Sequence, residues 1–315
     1  MAAKVEIIYV TFSRDFDFLQ YSMRSFQKYC KGFFGVKIVV PTDDTDRFLP
    51  FEGYSTKECP VRIKNFLEYP QKGFVHHLAM QCCADIFCPD AEYILHMDPD
   101  CLWCKPTTPS DYFVGGKPVL VVEPYEILKT VHPNRFHWKS VTEEALPFAC
   151  DYETMCRHPA VHNRLTYGQT RHEVESKHNV PFIDFVLKQK NKFPQGFGEF
   201  NTLGAVAIKR FSDKYHLIDR QDKGEQNDPE PHLKQFWSYR LGDGIYDKEI
   251  REILDKFKSK LDSHEEKNHR ITFETPDQLS TEIIGAIRKY EIENGMIGGR
   301  LSVFPTYEEY SKPFM

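Results

Sequence analysis

No stretch of this 315-residue chain approaches the ~18 consecutive apolar residues of a membrane-spanning helix, so no transmembrane span is expected. Positive charge is not in excess either. Forty-one basic and 46 acidic side chains leave a formal charge of −5, which argues against bulk nucleic-acid binding. There is no internal repeat and no long low-complexity run. With 41% apolar and 28% charged residues, the composition is that of a globular chain and excludes a disordered tail or a fibrous repeat. Several motifs are missing: no GxxxxGK(S/T) P-loop, no GxGxxG after the first strand, no GxSxG elbow and no HExxH. The N-terminal MAAKVEIIYVTFSRDF lacks an apolar leader core and a small-residue cleavage site, and Arg14 and Asp15 follow its β-branched run at once. It reads as a first buried strand, and the chain as a cytoplasmic one.

Nine cysteines is an odd number, and without a secretory signal they read as reduced thiols. Five lie between Cys82 and Cys104. Cys101-Leu-Trp-Cys104 has a zinc-like spacing, but two more ligands at matching spacing would be needed and no second CxxC exists. Buried free thiols are the default. Aromatics make up 14%, with 25 Phe and 16 Tyr, which fits a large core or a groove that stacks rings.

The first hundred residues alternate strand and helix signals. Val5–Val10, Val36–Val40, a weaker Val61–Ile63 and Tyr93–Met97 read as strands. Leu19, Ser22, Met23, Phe26 and Cys30 recur at helical spacing. Val75, Leu78, Ala79, Cys82, Cys83 and Ile86 form one helical stripe over Phe74–Phe87. This alternation implies an α/β fold with a mixed, mainly parallel sheet flanked by helices. Further on, Pro118–Val122 and Phe200–Ile208 read as strands, Gln221–Glu230 as an exposed loop, and the chain beyond Tyr246 as helical and charged. The expected division is 1–245 as one α/β domain, with halves at 1–105 and 106–245, and 246–315 as a helical extension packed on it.

The sharpest chemical signal is His96-Met97-Asp98-Pro99-Asp100, directly after an apolar strand. In open α/β sheets ligands gather at the carboxyl ends of strands. Two acids at i and i+2 of an extended chain project to one side, and Pro99 favours an extended Asp98. Paired carboxylates repel unless a cation or proton lies between them. Mg²⁺ or Mn²⁺, held by one or two carboxylates plus substrate phosphates, suits that geometry. The bland alternative is a strand-end turn with two solvated acids.

At these residues the chain resembles the nucleotide-sugar-binding half of a GT-A glycosyltransferase, in which a strand ends in an Asp-x-Asp that holds Mn²⁺ or Mg²⁺ against the donor's diphosphate. Other segments resemble a GT-A group of bacterial surface-polysaccharide loci and large viruses. They are Tyr9-Val10-Thr11-Phe12-Ser13-Arg14-Asp15-Phe16, Gly73-Phe74, Glu153-Thr154-Met155 through His162, and Phe197-Gly198-Glu199-Phe200-Asn201-Thr202-Leu203-Gly204. One departure is visible: His76-His77 stands where the resemblance leads one to expect amide side chains.

The resemblance implies residue roles. Thr11, Ser13, Arg14 and Asp15 would contact the base and ribose, against a reading of Ser13 or Asp15 as a helix cap. Asp98 and Asp100 would hold the metal and the ribose-diphosphate. Trp103 would wall the sugar pocket or belong to the core. Glu199 would be the base that takes the acceptor hydroxyl's proton if the reaction inverts, its apolar neighbours Phe197 and Phe200 favouring proton uptake; otherwise it is an exposed loop acid. Asn201 would orient the acceptor, and His232 would be a third metal ligand or a structural histidine. His158, His162, Arg164 and Arg171 would meet a diphosphate or acidic acceptor, or form a solvated helical face.

The implied activity is metal-dependent transfer of a sugar from a nucleoside diphosphate, UDP first among donors, to a hydroxyl of a glycan or other acceptor. Two rivals stand beside it. A metal-dependent phosphohydrolase would show phosphatase activity without a sugar donor. A non-catalytic carbohydrate-binding module would show no nucleotide-induced thermal shift with Mn²⁺.

Overall fold

The computed structural model describes residues 3–67, 74–131, 133–155, 160–189, 196–219 and 233–235. They belong to one compact unit, Met1–Gln235. The predicted helical extension, 246–315, lies outside the described residues, as do the polar loop at 221–230 and Cys156.

Along the chain run β1 (Val5–Val10), α1 (Phe16–Tyr29), β2 (Gly35–Val40), α2 (Thr45–Phe48), β3 (Val61–Asn65), α3 (Phe74–Gln81), α4 (Ala84–Phe87), β4 (Tyr93–His96) and β5 (Cys101–Trp103). Then come β6 (Phe113–Val114), β7 (Lys117–Pro124), α5 (Tyr125–Val131), α6 (Pro133–Ala145), β8 (Tyr152–Glu153) and β9 (Ala160–Asn163). The last are α7 (Leu165–His178), α8 (Phe182–Leu187), α9 (Glu199–Phe211), β10 (His216–Asp219) and β11 (Leu233–Gln235). The five-stranded sheet has the order β3-β2-β1-β4-β9. Its first four strands are parallel and β9 is antiparallel to β4. This is the mixed, mainly parallel α/β sheet that the alternation implied.

The period-2 rule divides the sheet's side chains between two cores. Ile8, Val10, Val39 and Ile94 point to one face, packed with Leu78 and Ala79 of α3, Tyr167 and Val174 of α7, and Leu203 and Val206 of α9. Val5, Ile7, Tyr9, Ile38 and Leu95 point to the other, packed with Leu19, Met23 and Phe26 of α1. Burial on both faces is why the parallel strands read as near-continuous apolar runs.

Two expected elements need correction. The stripe over 74–87 is not one helix: a turn at Cys82-Cys83 separates α3 from α4. The run Phe200–Ile208 is not a strand but the interior of α9, buried from Glu199 to Ala207. A continuous apolar run fits a buried strand or a buried helix equally; thirteen residues containing Leu203, Ala205 and Ala207 favour the helix.

The position of α9 depends on a glycine. A Cβ on Gly204 would lie 2.5 Å from Cβ and 2.8 Å from Cγ2 of Thr154, and closer still to its Oγ1. That hydroxyl donates to the Phe200 carbonyl at 2.9 Å. Glycine normally weakens a helix interior relative to alanine, so Gly204→Ala would ordinarily stabilise. Here the sign reverses. The variant is expected to lose about 1–3 kcal/mol in urea denaturation, because α9 and the segment after β8 must separate.

Candidate functional site

After β3 the chain crosses to the far side of β1 to form β4, so the strand order reverses between β1 and β4. At such a switch point the flanking loops diverge and leave a crevice at the strands' carboxyl ends. The two loops here are the two that sequence singled out: Thr11–Asp15 after β1 and Met97–Asp100 after β4.

The loop after β4 forms a tight turn. The Met97 N–H donates to the Ile8 carbonyl at 3.0 Å, carrying the ladder one residue past β4, and the Cys101 N–H donates to the Asp98 carbonyl at 3.1 Å. Asp98-Pro99-Asp100-Cys101 is therefore a β-turn with proline at its favoured second position. This corrects the expectation of two acids on an extended chain; the turn, not strand alternation, sets Asp100 relative to Asp98. Both aspartates are half-buried. The Asp100 Oδ1 lies 3.8 Å from the Cys101 Sγ. The buried Cys101 thiol is pushed well above its ordinary pKa, first by burial and then by the charges of Asp100 and Asp98.

The loop after β1 begins extended. The Thr11 N–H donates to the Val39 carbonyl at 2.9 Å, and Thr11 is fully buried. Its hydroxyl has no hydrogen-bond partner among the described residues. Ser13–Asp15 then makes a 3-10 turn. Asp15 takes the N-cap position of α1 but makes no side-chain capping bond. The Ser13 N–H is held by Asp44 Oδ2 at 3.0 Å. Asp44 follows β2 on the same sheet edge. The Arg14 side chain lies outside the described residues, as does His232. β11, which follows His232, pairs antiparallel with β5 and sets Gln235 opposite Cys101.

Glu199 is the first residue of α9, after Gly198 as N-cap, and is buried rather than on a loop surface. Its neighbour Phe200 meets the His96 ring edge-on at 5.1 Å, and His96 precedes Asp98 by two residues. The charge of Glu199 itself acts on the buried Cys82 thiol, whose pKa it helps to raise after burial. Asn201 does not face an acceptor. Its Oδ1 accepts the Thr154 N–H at 2.7 Å and the Met155 N–H at 3.0 Å, clamping that segment to the first turn of α9. The Glu153-Thr154-Met155 and Gly198–Gly204 segments are thus two sides of one contact. Trp103 is another correction: at 0% exposure, packed against Phe33 and Tyr112, it is core and not the wall of a pocket.

Among the described residues, the basic stretch 158–171 does not assemble as an anion site. His158 lies outside the described residues. Arg164 Nε donates to the Ala91 carbonyl, and Arg171 forms a bidentate pair with Asp85 at 2.6 and 2.8 Å. His162 is 1% exposed among His96, Tyr167, Phe200 and Tyr215, with no hydrogen-bond partner for either ring nitrogen among the described residues. Burial lowers its pKa to about 4. The folded state therefore refuses a proton that the unfolded state accepts below about 6.5, and stability drains as pH falls from there toward 4. His162→Leu removes the buried unpaired nitrogens and that proton uptake. Its melting temperature should match or exceed the parent's at pH 7, and its advantage should widen by pH 5.

Among the described residues no group of three or more His, Cys, Asp or Glu side chains is arranged to hold a metal ion, and no helix is long and apolar enough to cross a membrane. The aspartate turn does have the donor chemistry for a hard divalent cation that takes its remaining ligands from water and phosphate.

No protein-family model matches the sequence, and neither does any curated protein. Among solved structures, the chain is similar to mouse xyloside xylosyltransferase 1 in its apo form, with 10% identity over 69% of this chain and 85% of that one and a TM-score of 0.37. It is also similar to the glycosyltransferase GlyE of Streptococcus pneumoniae TIGR4, with 9% identity over 94% of this chain and a TM-score of 0.45, and it spans 64% of that protein's chain.

Proposed function

We propose that this chain is a metal-dependent glycosyltransferase that moves a sugar from a nucleoside diphosphate, UDP first among donors, to a hydroxyl of a glycan or other acceptor. The observation that carries the reading is the coincidence of the Asp98-Pro99-Asp100 turn with the switch point between β1 and β4. Supporting it, the β1 loop at the same crevice has a buried hydroxyl at Thr11 and a backbone pinned by Asp44.

Asp98 and Asp100 would hold Mn²⁺ or Mg²⁺, which supplies a Lewis acid to the leaving diphosphate when bound. The chain's own part is largely positioning. The Thr11–Asp15 loop receives the nucleoside, the aspartate turn fixes the diphosphate end, and Glu199, one residue before the ring that touches His96, accepts the acceptor's proton. Burial of Glu199 limits its access to bulk water.

The test is hydrolysis or transfer of a UDP-sugar with Mn²⁺, beside thermal melts over UDP, GDP, CMP and TDP. A Mn²⁺-dependent shift with UDP and turnover of the donor is the expected result. Phosphatase activity without a sugar donor, or no shift with any nucleotide, defeats the proposal.

A further inference from the structure

β5 stands apart from the strand that leads into the aspartate turn. β4 belongs to the five-stranded sheet, whereas β5 pairs with β11 in a separate two-stranded ladder. The two aspartates therefore rest on different supports. Asp98 follows β4 and Met97, whose N–H is tied to the Ile8 carbonyl of β1. Asp100 directly precedes β5, so its backbone goes where β5 goes.

On its other side β5 is held by α1. The Trp103 N–H donates to the Ser25 Oγ at 2.9 Å, and the Ser25 hydroxyl donates in turn to the Ser22 carbonyl at 2.7 Å. Beside them the Ser22 Oγ and the Tyr9 hydroxyl lie 2.9 Å apart. Beyond β5 the chain stays with the same helix. The Thr107 N–H donates to the Tyr29 carbonyl at 2.9 Å, and the Lys31 N–H donates to the Thr107 carbonyl at 3.0 Å. Of these contacts, the one between Ser25 and Trp103 is nearest to the turn.

Core filling does not account for the two serines. Ser22 and Ser25 are 0% and 1% exposed, in a helix whose Leu19, Met23 and Phe26 pack into the core. Alanine is the better helix former and buries no hydroxyl. A buried backbone N–H, however, needs an acceptor. α1 has no strand edge to offer β5, and the Ser25 hydroxyl supplies the acceptor instead.

We infer that Ser25 is a positioning residue for the metal: its hydroxyl fixes β5 on α1 and thereby sets Asp100 relative to Asp98. The inference rests on the reading of these aspartates as metal ligands and extends it to a residue of α1. A small octahedral cation demands near-ideal ligand geometry. Losing a group that orients a ligand costs about 10–100-fold in metal affinity.

Mn²⁺ binding to the full chain without nucleotide, followed by electron paramagnetic resonance of the free ion, tests this. Ser25→Ala removes the acceptor of the Trp103 N–H, and Mn²⁺ affinity should fall about tenfold or more. Ser25→Thr keeps the hydroxyl and should bind Mn²⁺ close to the parent's level. Gly204→Ala, destabilised where α9 meets Thr154, should also bind it as the parent does. If the alanine variant does not fold, Ser25→Cys carries the same comparison, because its sulfur accepts hydrogen bonds only weakly. Parent-level affinity in the folded alanine or cysteine variant overturns the positioning role. So does an equal loss in Gly204→Ala or in folded Ser25→Thr; each of these leaves the metal reading standing. A parent that binds no Mn²⁺ overturns both.

Discussion

Asp98→Asn and Asp100→Asn are each expected to cut Mn²⁺-dependent turnover of a UDP-sugar by at least about 10²–10³-fold, the scale for losing one preorganised electrostatic contact to developing charge. Asparagine keeps the shape of the side chain and removes its charge. The turn should survive, because the bond that closes it runs from the Cys101 N–H to the Asp98 carbonyl and uses no side-chain atom. Both positions are half-buried, so the melting temperature without metal should change little. The Mn²⁺-dependent thermal shift of the parent should vanish in both variants, since a ligand stabilises only the state that binds it. A folded variant with full turnover ends the assignment of these residues.

Arg135→Ala is expected to cost about 3–5 kcal/mol of stability. Glu123 and Glu153 stand directly opposite each other across the antiparallel β7–β8 pair, where like charges repel. Arg135 from α6 bridges them, reaching Glu123 at 2.8 Å and Glu153 more closely. Glu153 is 0% exposed. Burial pushes its carboxyl above the ordinary range, Arg135 pulls it back, and Glu123 adds to the rise. Without the guanidinium the rise must be larger. A carboxyl whose pKa is higher folded than unfolded binds more protons when folded, so folding gains as pH falls through that range. The variant's deficit, measured by urea denaturation, should shrink between pH 7 and pH 5. Arg135→Ala combined with Glu123→Gln and Glu153→Gln should recover part of it. A deficit that does not change with pH would mean that lost packing, not uncompensated charge, is the cause.

The first hundred residues were legible because each element there is short and buried in a periodic way. β1, β2 and β4 are short apolar runs bounded by turns, which suit a sheet covered on both faces, and the α1 stripe has helical spacing. Asp98 and Asp100 stood out by their placement after such a run. The later elements were harder. α9 is buried from Glu199 to Ala207, polar Asn201 and Thr202 included, and periodicity carries little signal when no face of a segment meets water. Asn201 looked like an acceptor ligand because the amides it binds, at Thr154 and Met155, lie 47 and 46 positions away in sequence. The Arg135 bridge and the Ser25 anchor of β5 are likewise products of tertiary contact. Trp103 could not be placed by its neighbours, since an indole suits a core and a pocket equally.

The antiparallel ladder between β5 and β11 has a consequence for biosynthesis. β5 leaves the aspartate turn directly, yet its partner is translated about 130 residues later. At ordinary elongation rates that interval is on the order of ten seconds. Throughout it the nascent polypeptide carries an unpaired strand edge next to the turn, open to pairing with a neighbouring chain. Ribosome-bound intermediates ending before Leu233 should therefore be the ones that most need a chaperone.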